Sequence, residues 1–438
     1  MSLRDSFCST EPVAEVFSDG ALLEAMLRFE AGLARVQAGA GVIPAGAAAA
    51  IAAAAVPGAF DAAVLARDSW SSATLGVPLV DALRSRVASI DPAAATYVHW
   101  GATSQDVVDT ALVLCLHRAA SILEADHRRL QQALRQQSEA HAATIMLGRT
   151  LLQPAAPITF GLKASTWSAA VSRTGTRLFS QFDEAAVVQY GGASGTLASL
   201  GDQRAAVAAS LAHELGLREP DAPWHASRDR LASLVAACGV YCGTLAKIAR
   251  DIALLMQEEV AEAFETGGRS SAMPHKRNPS GCAVTFAAAS RLPGLVAAIL
   301  AGMPQEHERG VGGWIAEAPT VSAAVEATGA SVAALANVVA TLKVDARRMR
   351  TNLANTRDVV DAERALMLLA PVVGREAAAR LVEAAVEQAR RESLPFGDAL
   401  FSYREVAGQF TREQLRVATS PEAYLVAAEH FRRRQLDG

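Results

Sequence analysis

The chain has 438 residues, 51% hydrophobic, 5% aromatic and 20% charged, with a formal net charge of −4 at pH 7. That length can bury a large core and hold two or three domains. The balanced charge offers no basic face for nucleic acid, and so few aromatics offer no platform for stacking bases. Abundant alanine suits long helices packed closely. The opening MSLRDSF is not a secretory apolar run. Residues 41–56 are too weakly apolar to span a bilayer, and 284–303 are interrupted by Arg291 and Pro293. Both stretches are expected as bundle helices of a soluble, cytoplasmic protein with no membrane partner. The five cysteines are odd in number and scattered. They read as small buried apolar groups rather than metal ligands or disulfides.

Taken in order, residues 1–107 form a first helical region. Ser18 suits an N-cap for a helix over 21–39, in which Leu22, Leu23, Met26, Leu27, Phe29, Leu33 and Val36 recur at helical spacing. Pro44 opens a second, alanine-rich helix, and 79–87 reads as a third. Then comes Tyr97-Val98-His99-Trp100-Gly101-Ala102-Thr103-Ser104-Gln105-Asp106. Thr103 or Ser104 can cap the helix that starts near Gln105, leaving N–H groups for an anion. On its own, this stretch is better served by capping alone, with His99 a hydrogen-bonded core histidine.

Residues 108–355 read as a long-helix bundle and 356–438 as a smaller helical region. The patterns over 107–141 and 228–265 run without proline, and helices are also expected near 281–303 and 320–343. No strand alternation persists. Three interruptions carry polar groups. Gly148 to Pro157 holds two prolines with Arg149, Thr150 and Gln153 at the break. Val188 to Thr196 holds glycines that permit a close backbone approach. Gln305 to Trp314 holds His307 and Arg309. Arg309 suits an anion and Trp314 a pocket wall, while Glu306, His307 and Glu308 face different ways and do not suit a metal. The charges of 358–363 read as a solvated face.

The densest chemistry lies in Thr266 to Gly281, TGGRSSAMPHKRNPSG. Its glycines and prolines force the chain out of helix, and glycine at its entry suits a lid. Adjacent serines, Lys276, Arg277 and Asn278 share one short loop; a hydroxyl beside a cation and backbone N–H groups can move a proton. Arg149, Lys276, Arg277 and Arg309 all stand in helix breaks, a set that suits a small polycarboxylate substrate.

The run from Ser270 to Pro279 resembles the signature loop of the fumarase/aspartase superfamily, G-S-S-x-M-P-x-K-x-N-P, with Arg269 where relatives place glycine. His99-Trp100-Gly101-Ala102-Thr103-Ser104-Gln105-Asp106 resembles that superfamily's first block, which binds a substrate carboxylate and supplies a histidine. The Gly148 block resembles G-R/Y-T-H-x-Q, with Leu151 in the histidine's place. The likeness covers nearly the whole chain and is greatest to the branch that lactonises 3-carboxy-cis,cis-muconate in protocatechuate (β-ketoadipate) catabolism. It implies an all-α fold with a long central bundle flanked by two smaller helical domains. It also implies a homotetramer with active sites built from three subunits, and no cofactor or metal.

For the site, the resemblance implies that Ser270 or Ser271 donates the proton. Lys276 and Asn278 hold a carboxylate and the enediolate. Thr103, Ser104, Arg149 and Arg309 bind other carboxylates, with Thr150, Gln153, Arg277 and His307 alongside. His99 orients substrate or adjusts charge. Leu151 bears on the reaction. An amine, alkoxide or water leaving group needs a protein acid, which leucine cannot be. A carboxylate leaving group, with a pKa of about 4, needs none, and closing or opening a lactone has that property. The competing expectations are a fumarate-releasing lyase of the adenylosuccinate lyase type and a catalytically silent scaffold.

Overall fold

The computed structural model describes residues 6–270, 272–273, 275–356 and 359–437. Short helices open the chain: α1 (Glu11–Val16), α2 (Asp19–Gly39), α3 (Ala45–Ala54), α4 (Ala62–Asp68) and α5 (Gly76–Ile90). Then come α6 (Ser104–Ala140), α7 (Phe160–Ala185), α8 (Arg204–Leu215), α9 (Asp229–Leu255), α10 (Ser280–Gly302) and α11 (Gly313–Ala340), all but α8 longer than 20 residues. The last part holds α12 (Ala346–Ala354), α13 (Ala362–Val373), α14 (Arg375–Glu392) and four further helices ending with Leu425–Asp437. The fold is all-α, as the periodicity implies. Ser18 caps α2 by accepting from Ala21 N at 3.2 Å.

Local expectations fail at three places. The break at Gly148 is a hairpin rather than a helix–helix turn: β1 (Ile145–Thr150) pairs antiparallel with β2 (Gln153–Thr159), with a bulge at Leu147/Gly148. A two-stranded ribbon is all edge, so Pro154 and Pro157 remove no interior ladder bond. The 228–265 helix stops at Leu255, and Ala263–Phe264 pairs with Lys343–Val344. Gln257, Glu258 and Glu259 are exposed there, and the Val260 carbonyl is taken by Arg348 Nε at 3.0 Å and Asn352 Nδ2 at 2.8 Å. Side chains from α12 thus satisfy backbone that a longer helix would have used. The helix expected near 281–303 is present as α10, which continues through Pro293. Asp361 is buried at 1% exposure and is no part of a solvated face; Asp358 lies outside the described residues.

The chain divides into two compact units. One comprises Met1–Arg128, Thr174–Ala246 and Val284–Ala334; the other comprises Arg129–Arg173, Lys247–Ala283 and Leu335–Gly438. In the first, α2, α3 and α5 close a small core around Ala34, Ile51, Ala54, Leu83 and Val87. Its bundle is stitched by small residues. A Cβ at Gly175 of α7 would lie 2.2 Å from the ring of His127 on α6. His127 Nδ1 is 2.9 Å from the Tyr241 hydroxyl on α9. Cys242 of α9 bonds Thr328 of α11 at 3.5 Å, and Gly329 of α11 lies against Leu123 of α6. The second unit holds the hairpin, the signature loop and a core of Leu369, Ala385, Phe396, Leu400 and Leu415.

Three helices, α9, α10 and α11, are long and apolar enough by composition to cross a membrane. The apolar window of α10 is only 22% buried, against 67% for α11.

Candidate active site

Site residues fall in both units. In the first, Thr103 precedes α6, but neither it nor Ser104 provides the expected cap. Asp106, in the first turn, reaches back to accept from Thr103 N at 3.0 Å, half of a capping box. The same carboxylate accepts from Gly191 N and Gly192 N, both at 3.0 Å, and lies 2.7 Å from His225 Nε2. Asp106 is fully buried, so these partners hold a charge that would otherwise be costly. The close approach that the glycines of 188–196 permit is therefore to this carboxylate and to the Gly101 carbonyl, which a Cβ at Gly192 would meet at 2.9 Å. Gly76, at the start of α5, abuts Ser104; a Cβ there would lie 2.7 Å from Ser104 Cα.

Relieved of capping, the Thr103 hydroxyl accepts from Arg309 at 2.7 Å. The other arm of the Arg309 fork donates to the Gly192 and Ala193 carbonyls at 3.2 and 2.9 Å. All these acceptors are neutral, and no carboxylate among the described residues pairs with Arg309. Its Nε is buried without a partner. Arg309 thus joins Thr103 to the 190s turn while keeping its charge uncompensated. His307 is exposed at φ 47°, two residues away. His99 has φ 61°, and its Nδ1 lies 2.6 Å from Glu30 Oε1.

Trp314 lies over a different floor. Its Nε1 donates to Asp109 at 2.8 Å, and it lines a cavity of about 450 Å³ with Trp70, Val108, Ile315 and Arg228. Arg228 there is bracketed by Asp109 at 2.8 Å and Glu317 at 2.5 Å. Two carboxylates around one guanidinium make a poor seat for a polyanion, so this cavity is not where a polycarboxylate fits.

In the second unit, Arg149 is spoken for. Its two terminal nitrogens grip the fully buried Glu262 at 2.8 and 2.7 Å, and Asn352 joins the same carboxylate at 2.8 Å. This arginine is matched by a carboxylate of its own chain, unlike Arg309. Thr150 and Gln153 are exposed and flank the hairpin tip. The tip is Leu151 and Leu152, at φ 51° and 63° and with 96% and 75% exposure. Left-handed backbone and solvent exposure are both unfavourable for leucine.

The signature loop is pinned at its base. Glu265, 3% exposed, accepts from Gly281 N at 2.9 Å and Cys282 N at 3.2 Å, at the N-terminus of α10. Asn278 N donates to Gly268 O at 2.8 Å, and the backbones of Arg269 and Arg277 pair in an isolated antiparallel bridge. Gly268 has φ +62°, and a Cβ there would fall 1.9 Å from the Asn278 carbonyl. Beyond this clamp, Ser270 Oγ accepts from Met273 N at 3.1 Å, and Lys276 N donates to Met273 O at 3.0 Å. Lys276 and Arg277 are exposed, Asn278 is half-buried, and no carboxylate among the described residues pairs with either cation. Ser271 lies outside the described residues.

Sequence reasoning missed Glu30, Glu262 and Glu265. Each is an acidic residue inside a helical or apolar pattern, and only its distant partner marks it out. Asp106 stood in the quoted block without a role.

A family profile described as lyase matches residues 8–294. The 3-carboxy-cis,cis-muconate cycloisomerase of Pseudomonas aeruginosa is 43% identical over 99% of this chain and 95% of its own length. The chain belongs to the fumarase/aspartase superfamily of lyases. It is an enzyme of the intramolecular-lyase kind that its relatives are named for. The crystal structure of the 3-carboxy-cis,cis-muconate lactonizing enzyme from Pseudomonas putida superposes with a TM-score of 0.93 at 40% identity, covering 99% of this chain and 98% of that one. The nitrosuccinate lyase of Streptomyces davaonensis is 38% identical over 95% of this chain and 90% of its own length.

Proposed function

We propose that the enzyme lactonises 3-carboxy-cis,cis-muconate to 4-carboxymuconolactone, a step of protocatechuate (β-ketoadipate) catabolism. The observation that carries this is Leu151 at the hairpin tip, where a lyase expelling a poor leaving group would place an acid. A substrate carboxylate oxygen bonds to a carbon of the conjugated diene. The displaced π electrons move onto the carbon α to a second carboxylate, which becomes an enediolate, and the Ser270 hydroxyl delivers its proton to that α-carbon. The departing oxygen in the reverse direction is a carboxylate, so no further acid is required.

The loop supports the serine's part. The Met273 N–H already points at Ser270 Oγ, so negative charge left there has a donor in place. Lys276 and Asn278 hold the enediolate carboxylate, with Ser271 as the alternative donor. Arg309, with Thr103 and Ser104, holds another carboxylate; its uncompensated charge supports that role. Arg277, His307, Thr150 and Gln153 border the substrate. Arg149 keeps its assignment to the substrate only through the Glu262 it already grips, as an anchor of the hairpin.

The working form is a homotetramer with each site drawn from three subunits. The exposed apolar length of α10 and the exposed leucine tip support this. A cytoplasmic setting is supported by five cysteines that are all free thiols. The test is turnover of 3-carboxymuconate in deuterated water. One deuterium in the lactone, beside a carboxylate, is expected; release of fumarate from a succinyl adduct instead would move the enzyme to the lyase reading.

A further inference from the structure

We propose that Glu30 is a positioning residue for His99: it fixes which ring nitrogen turns outward and keeps the imidazole charged as a counter-ion for a substrate carboxylate. The inference rests on the lactonisation reading, because that reaction supplies the polyanion. Nothing in the sequence patterns marked Glu30. It lies in the middle of α2, on a face otherwise made of Met26, Leu27, Leu33 and Ala34, and is 1% exposed.

A carboxylate so placed is costly unless paired. Here Oε1 lies 2.6 Å from His99 Nδ1, while Oε2 is buried with no partner. One short contact is all that compensates the charge, so the proton sits on Nδ1 and the ring is favoured as a cation. His99 Nε2 makes no hydrogen bond among the described residues, and its side chain keeps 13% exposure. It is thus the ring atom available to a ligand. The backbone at His99 is held at φ 61°, unfavourable for any residue with a Cβ, so the ring's aim is imposed by its surroundings.

Several groups act on the ring. Burial alone would lower its pKa, but Glu30 on α2, by charge and hydrogen bond, and Asp106 on α6 outweigh burial and the opposing Arg84 on α5. The net result is an imidazole pKa above its ordinary value. A cationic Nε2–H donates to a carboxylate. The neutral ring, with Nδ1–H still on Glu30, would turn a lone pair outward and lose that attraction.

A plain structural staple between α2 and the 99–103 loop would also use this pair, so the test must separate the two. Glu30→Gln keeps an acceptor for Nδ1–H but removes the charge. In the full-length enzyme, Glu30→Gln is expected to move the alkaline limb of kcat/KM for 3-carboxymuconate down by about 1–3 pH units. The loss should fall mainly on KM, and Glu30→Asp should restore part of the limb. Independently of turnover, the His99 signal of 13C- or 15N-histidine-labelled protein, assigned by its absence in His99→Gln, should titrate above the ordinary imidazole range. It should fall below that range in Glu30→Gln. A folded Glu30→Gln enzyme with an unchanged His99 titration and pH profile would overturn the proposal. The labelled titration is read without substrate. A wild-type protein inert toward carboxymuconate therefore sinks the lactonisation reading, while the titration still decides the pair.

Discussion

At the scale of single residues, what matters is which charges are already matched. Arg149 and Arg309 look alike in sequence, each a cation in a break between helices. The first closes on a buried glutamate at 2.7 Å; the second spends its donors on a threonine and two carbonyls. A carboxylate ligand therefore gains more from Arg309. Replacing Ser270 with alanine is expected to lower kcat by at least about a hundredfold, as loss of a general acid does, with the thermal transition unchanged. Gly268→Ala should weaken the loop clamp, because the new methyl meets the Asn278 carbonyl; limited proteolysis within 269–277 would report it. Asp106→Asn leaves a buried neighbourhood built for an anion, and should destabilise the fold by about 3–5 kcal/mol in chemical denaturation.

The Glu30–His99 pair also makes stability depend on pH. The folded pKa of His99 is raised above its unfolded value. Its contribution is thus fully present below the ordinary imidazole pKa of about 6.5 and is lost as pH rises through the folded value. The stability gap between wild type and Glu30→Gln should narrow on the alkaline side in paired denaturant titrations. These pairings left no trace in the sequence. Glu30 and His99 are 69 positions apart and Arg149 and Glu262 are 113 apart, and neither acid disturbs the apolar period around it.

At the scale of elements, helices with strong periods were legible. Helix α2 begins at its Ser18 cap, and α6 runs from Ser104 to Ala140, close to the proline-free stretch that marked it. The β1–β2 hairpin was not legible. Its strands lack alternation, carry two prolines, and meet at leucines where a two-residue hairpin turn prefers Asn-Gly. That mismatch can be tested. Changing Leu151 to Asn and Leu152 to Gly should relieve left-handed strain, worth about 1 kcal/mol or more, and leave the hairpin intact. If the tip lines a neighbouring copy's site, the same change should cut turnover at least tenfold. Greater stability with lower activity is the signature to look for; unchanged activity would remove the tip from the site.

At the scale of the whole molecule, apolar surface left uncovered by one chain argues for partners of its own kind. Leu300 of α10 is 49% exposed and Val240 of α9 is 56% exposed, on helices otherwise apolar along their length. Light scattering coupled to size exclusion should give four chains per particle. Glutamate at Leu300 and Val240 together should yield smaller, less active species. Two helical ends and a recognisable loop could be read from residue order; what the proposed tetramer would bring to each site could not, because a single sequence does not record its copies. The most direct measurement is the ultraviolet absorbance of 3-carboxy-cis,cis-muconate mixed with the purified enzyme. Loss of the diene band at a rate proportional to enzyme, abolished by Ser270→Ala, is the expected result. A stable diene band with wild-type enzyme, or equal decay with Ser270→Ala, would contradict it.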